Sequence, residues 1–253
     1  MVKIFILSLI CAFYAPLEGG RVMLIAARES FAVHSRGTPT ARDYVQDGLI
    51  AMWDGIENAG WGVHDPNATT WTDLVGGQWG SWNIQGAGSD HAIFNLASQL
   101  KTFNSYVNVP ATIELSIFDV ANMGGCFLNI NNKTNWNGMA TNGMLCPYFY
   151  NSSGITYQFY SKQTAVSWAG RDFCDNSTFS LQYSTTGIVA YANGVTKKTA
   201  TVSNGESTKN YGIAGYAGVK FTGKARYLRL YSRALTAAEV AANHAIDKER
   251  FGL

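Results

Sequence analysis

The chain has 253 residues, of which 47% are hydrophobic and only 14% charged, so it can bury a sizeable core and is poor material for long disorder, a coiled coil or a polybasic arm. Lys and Arg number 19 against 17 Asp and Glu, a net charge of +2, which recruits no nucleic acid, since that needs a clustered basic patch. Aromatic residues at 13%, 26 Gly and abundant Asn, Ser and Thr suit a β-rich, turn-rich protein that displays loops.

In chain order, the apolar run Ile4 to Ala15 follows Lys3. It is too short to span a bilayer, which takes about 20 residues, so no transmembrane helix is expected. Two readings of residues 1–22 stand side by side. One is an apolar leader of signal-peptide size, although bulky Phe13 and Pro16 make a poor cleavage site after Ala15. The other is an upstream extension, with Met23 as the start and Leu17-Glu18-Gly19-Gly20 read from a purine-rich ribosome-binding site. Residues 23–43 read as a flexible lead-in, and residues 44–253 as one β-rich domain without an internal linker or repeat. Cys126, Cys146 and Cys174 match no zinc spacing; they read as buried thiols, with a Cys126–Cys146 bridge open if their strands are neighbours. The Asn-x-Ser/Thr sequons at Asn67, Asn132, Asn151 and Asn176 matter only in a eukaryotic secretory setting.

Strands are expected wherever apolar and polar residues alternate with period 2. Ile113, Leu115 and Ile117 alternate with Glu114 and Ser116. Ile155, Tyr157 and Phe159 form a second set, and Phe179, Leu181 and Tyr183 a third. Asn193-Gly194 lies between Ile188–Ala192 and Val195–Val202, and Asn-Gly suits a type I′ hairpin, in which both central residues have positive φ. Many short strands separated by Gly/Asn turns point to an antiparallel sandwich. One helix, 236–251, closes the chain: Thr236 and Glu239 make a capping box, Leu235 and Val240 a hydrophobic staple, and Gly252 a stop. A lone helix after an all-β body is expected on the sandwich edge, covering unpaired strand groups.

The closing segment, Phe221-Thr-Gly-Lys-Ala-Arg-Tyr-Leu-Arg-Leu-Tyr-Ser-Arg-Ala-Leu-Thr-Ala-Ala-Glu239, resembles the last strand and helix start of laminin-G-like, concanavalin A-like domains. Val189-Ala-Tyr-Ala-Asn-Gly-Val195 is similar to that family's Asn-Gly hairpin, Ala111-Thr-Ile-Glu-Leu-Ser-Ile117 to its early core strand, and Trp71-Thr-Asp-Leu-Val-Gly76 to its Trp-x-Asp-Leu loop. The likeness runs from about residue 44 to 245 and implies an all-β, two-sheet antiparallel jelly roll with one C-terminal α-helix. Such domains occur in secreted and cell-surface bacterial proteins and in phage structural or tail proteins. Many bind glycans or proteins, and some bind calcium. The expected setting is therefore extracellular, at a cell surface or in a virion, with a glycan or a protein surface as partner or assembly into a larger particle. In the closing strand, Tyr227, Arg229 and Tyr231 are expected on one face and Leu228 and Leu230 on the other, with Arg233 fixing the turn into the helix.

Catalysis is not expected. Retaining glucanases of this sandwich type place two carboxylates on one strand face, roughly 5–5.5 Å apart. Here Ser116 stands where the second carboxylate belongs, and Asp119 falls on the opposite face from Glu114. Glu114 is accordingly expected on the solvent face, and His244 on the helix surface. Binding has better candidates. Five of the seven Trp lie between Trp53 and Trp82; Trp53 and Trp71 are expected in the core, and Trp61, between Gly60 and Gly62, nearer the surface. Asn131, Asn132, Asn135 and Asn137 around Trp136 offer amides beside an indole, the pairing that meets a sugar's hydroxyls and its apolar face, or simply an Asn-rich turn cluster. Asp54, Asp65 and Asp73 lie in adjacent loops and are the calcium candidates, since that ion takes 6–8 oxygen ligands.

Overall fold

The alternating segments become strands. In the computed structural model, residues 37–253 are described, apart from 78, 96–98, 103–110, 121–127, 132–147, 152–154, 162–163, 170–176, 184–186, 202–209, 214 and 217–218. The strands run β1 (Leu49–Asp54), β2 (Thr70–Trp71), β3 (Trp82–Asn83), β4 (Gly86–Ala87), β5 (Ala92–Asn95), β6 (Gln99–Thr102), β7 (Thr112–Phe118), β8 (Leu128–Asn131) and β9 (Tyr148–Asn151). They continue with β10 (Ile155–Ser161), β11 (Thr164–Ala169), β12 (Phe179–Tyr183), β13 (Gly187–Ala192), β14 (Val195–Thr201), β15 (Asn210–Ile213), β16 (Gly215–Tyr216), β17 (Val219–Lys220) and β18 (Thr222–Tyr231). Among the described residues one α-helix forms, α1 (Ala237–Phe251), after β18. The fold is an all-β sandwich with one C-terminal helix.

The largest sheet is antiparallel, in the order β14-β13-β12-β7-β18-β5-β4, with β1 also paired to β18. Two three-stranded sheets, β11-β10-β9 and β6-β15-β8, accompany it. The inner face of the large sheet is apolar. Ile113, Leu115 and Ile117 of β7, Phe179 and Leu181 of β12, and Leu228 and Leu230 of β18 join one buried cluster with Trp53 and Trp71, as the alternation requires. Trp79 and Trp82 are buried there too. Trp53 meets Trp82 edge-on at 6.1 Å, and the indole N–H groups of Trp53 and Trp71 donate to the carbonyls of Gly80 and Asp54. A buried Trp keeps its polar edge bonded in this way. A β-bulge at Arg226 resets the parity of β18, so that Ala225 and Leu228 both face inward.

The hairpin forms as expected: Asn193 and Gly194 have φ of 52° and 73°. The capping box also forms, with Thr236 Oγ1 accepting from Glu239 N–H and the Glu239 carboxylate accepting from Thr236 N–H at 2.7 Å. Arg233 holds the turn before it, donating to both Glu239 oxygens at 2.6 and 3.0 Å. That pairing, with the Thr236 N–H, lowers the Glu239 pKa to about 2.

Three expectations are corrected. Helix α1 lies across the outer face of the central strands rather than on an edge: Asp247 bonds Arg229 and Tyr227 of β18, and Asn243 bonds Glu114 of β7 and Tyr231 of β18. Glu114 is therefore buried, with 2% of its surface exposed, because the solvent face assigned to it is roofed by the helix. The folded body also begins before Tyr44: Ala41, in a 3₁₀ turn over Ala41–Asp43, is fully buried and its N–H donates to Glu57. The expectations for Cys126, Cys146 and Cys174 and for residues 1–36 lie outside the described residues.

Candidate binding loop

The roof over the outer face is a network of charges. Arg229 donates to Glu114 from Nε at 2.9 Å and to both oxygens of Asp247 at 2.8 and 2.9 Å. Its guanidinium lies 3.9 Å over the rings of both Tyr44 and Tyr227, whose hydroxyls donate to Asp247 at 2.7 Å. Arg250 donates to Asp54 and Glu57. Burial pushes the carboxyls of Glu114 and Asp54 up, against the pull of their arginines. Glu114 Oε2 accepts from Arg229 and Asn243 beneath the helix, a setting that docks a helix and keeps a polymer out.

Glu57 carries this joint outward to the surface. Its Oε1 accepts from Ala41 N–H and Arg250, and its Oε2 from Gly62 N–H at 2.7 Å. It thus clamps the loop that bears Trp61. The rest of that loop is equally determined. Asn58 and Asp65 exchange two bonds: Asn58 Nδ2 donates to the Asp65 carbonyl, and Asp65 N–H donates to Asn58 Oδ1. Ala59 and Val63 close a tight turn over Gly60 and Gly62, which has φ of 71°. His64 Nδ1 lies 2.9 Å from the Ile56 carbonyl, so it is the ring's donor, which leaves Nε2 to accept when the ring is neutral.

Trp61 is half-buried against Ala41, Tyr44, Met52 and Leu74, and the Arg42 guanidinium lies 4.4 Å over its ring. Beside it Val63 is 52% exposed, and His64 is exposed as well. The loop is a rigid mount for an indole, a guanidinium and an imidazole at the surface. The flanking Gly60 and Gly62 mark Trp61 in the sequence; Arg42 and Glu57 carry no local signal.

The other sequence candidates are placed as follows. Asn131 is the last residue of β8; Asn132, Asn135, Trp136 and Asn137 lie outside the described residues. Asp54, Asp65 and Asp73 do not share a centre. Asp54 accepts from the N–H groups of Ile56 and Glu57 and from Arg250. Asp65 accepts from Asn67 N–H, and Asp73 from the N–H groups of Met52, Val75 and Gly77. Each shapes its own turn, and among the described residues no three His, Cys, Asp or Glu side chains converge as metal ligands. A further polar cluster, invisible in the sequence, surrounds Phe118: Arg226 lies 4.0 Å over its ring, His91 meets it edge-on, and Asp90 pairs with His91.

No protein-family profile matches the chain, and no curated protein matches it in sequence. Solved structures match it in fold. A mutant of Trypanosoma rangeli sialidase displaying trans-sialidase activity matches at 14% identity with a TM-score of 0.57, over 86% of this chain and 35% of that one. The Trypanosoma rangeli sialidase in complex with sialic acid matches at 12% identity with a TM-score of 0.51, over 85% and 34%. The chain spans about a third of the length of these sialidase chains. At such identities the likeness is one of fold. Among the described residues no helix is long and apolar enough to cross a membrane.

Proposed function

We propose that the chain is a non-catalytic binding module that recognises a glycan through the Trp61 loop. One observation carries the reading. A tryptophan stands at the surface on a loop whose turns are fixed by buried carboxylates, with an arginine over its ring and a histidine beside it. An indole covers the apolar face of a sugar ring, and guanidinium and imidazole groups bond its hydroxyls. A mount fixed in advance avoids the ordering cost that a mobile loop adds to binding. The burial of Glu114 supports the non-catalytic part, because the strand carboxylate nearest in placement to a glucanase residue lies beneath α1. Asn131 and the Asn132–Asn137 segment with Trp136 are proposed as a second contact. Exposed Val63 and Val75 near the loop also suit a protein surface, which is the alternative partner.

The test is a glycan array probed with the full chain, with calcium and then with chelator. Wild-type binding is expected to fall at least tenfold in Trp61→Ala and less in Arg42→Ala, with unchanged far-ultraviolet circular dichroism. A blank array from folded protein overturns the glycan reading in favour of a protein partner. Loss of binding in Trp136→Ala but not in Trp61→Ala moves the site to the Asn-rich segment. Loss with chelator brings calcium in.

A further inference from the structure

Between α1 and the outer face of the large sheet lies a small, partly open recess. It is lined by Glu114 of β7, Thr178 and Ser180 at the start of β12, His244 and Asp247 of α1, and Gly194 of the hairpin turn. Its free volume is about 10 Å³, the smallest space that holds one water. The Ser180 side chain is 4% exposed and its Oγ has no hydrogen-bond partner in the protein. Buried hydroxyls are otherwise almost always bonded.

The neighbouring groups are arranged differently. Asp247 is fully engaged, with two tyrosine hydroxyls and two guanidinium N–H groups on its oxygens. Thr178 Oγ1 is held by His244 Nδ1 at 2.8 Å. Glu114 takes Arg229 and Asn243 on Oε2, and a carboxylate can accept about four bonds. Ser180 can donate and accept and Glu114 can accept more, while Phe179, Tyr227 and Val240 complete the lining of the space.

We infer that this space is a binding site for one ordered water, shared by the Ser180 hydroxyl and the Glu114 carboxylate. The water donates to Glu114 and exchanges its other bond with Ser180 Oγ. It thereby links β12 to β7 beneath the helix. Gly194 and His244 close the site on the hairpin side: a Cβ on Gly194 would meet His244 at 3.1 Å, so the turn sits directly on the helix. The site is part of how the helix seats on a charged face, and it is separate from the Trp61 loop.

A crystal structure of the full chain, at a resolution that orders single waters, tests this directly. One spherical peak is expected within about 2.6–3.2 Å of Ser180 Oγ. Ser180→Val should fill the space and abolish the peak. In solution, a nuclear Overhauser effect from a long-lived water to the Ser180 and His244 protons is expected in the wild type and lost in Ser180→Val. A dry cavity in the wild-type crystal overturns the inference, as does a Ser180 hydroxyl turned onto a protein acceptor. A peak ringed by five or six oxygens at about 2.4 Å would be a cation and overturns it as well.

Discussion

The two faces of the large sheet are built from the same strands and hold together by opposite means. On the inner face, Leu228 and Leu230 of β18 and Leu115 of β7 pack with four buried tryptophans. On the outer face, Tyr227, Arg229 and Glu114, their direct neighbours in sequence, join a charged network under α1. Both faces are equally buried, so burial alone does not say what a residue does. An apolar face rests on area and shape, which degrade gradually. A buried ionic joint rests on every partner being present, because one charge left alone in the interior is costly.

That contrast can be broken at its strongest point. Arg229→Met leaves Glu114 and Asp247 buried without their cation, and urea unfolding at neutral pH should show a loss of about 3–5 kcal/mol. Adding Glu114→Leu and Asp247→Leu to that variant should recover part of the loss. On the inner face, Leu228→Ala should cost about 2–5 kcal/mol, but Leu228→Met under about 1.5 kcal/mol, the graded response of an apolar core. If Leu228→Met proves as severe as Arg229→Met, the contrast is wrong.

Smaller effects sharpen it at the helix ends. Thr236→Ala removes the N-cap and should cost about 1 kcal/mol in the same assay. His244 gives a pH test. Burial lowers its pKa, so the folded state resists its protonation. The sign follows: its contribution is present above the unfolded value of about 6.5 and is lost as pH falls from there through the folded value. Asp247, Lys248, Arg229 and Thr178 are the groups that face it. A plot of stability against pH should therefore decline less steeply below about pH 6.5 in His244→Gln than in the wild type.

What was legible in the sequence was local. The Asn193-Gly194 turn, the Thr236–Glu239 box and the alternation around Ile113–Ile117 depend on residues within a few positions of one another, and each stands in the structure as the spacing requires. Period 2 also assigns Glu114 to the face opposite Leu115. It cannot say what covers that face, since the cover is Asn243, which bonds Glu114 across 129 positions. The same limit hid Glu57, whose partners Ala41 and Arg250 lie 16 and 193 positions away. Trp61 was half legible: its flanking glycines mark a turn, while the Arg42 guanidinium over its ring comes from the separate Ala41–Asp43 turn.

The joint that seats the helix also ties together the two extremities of the folded body. Tyr44 and Val45, near its start, bond Asp247 and Asn243 near its finish. A domain whose chain comes in and goes out at one place behaves as a plug-in unit. Splicing such a unit into an exposed turn of another protein, or bridging its ends and reopening the backbone in an exposed turn, is the kind of change that this arrangement favours.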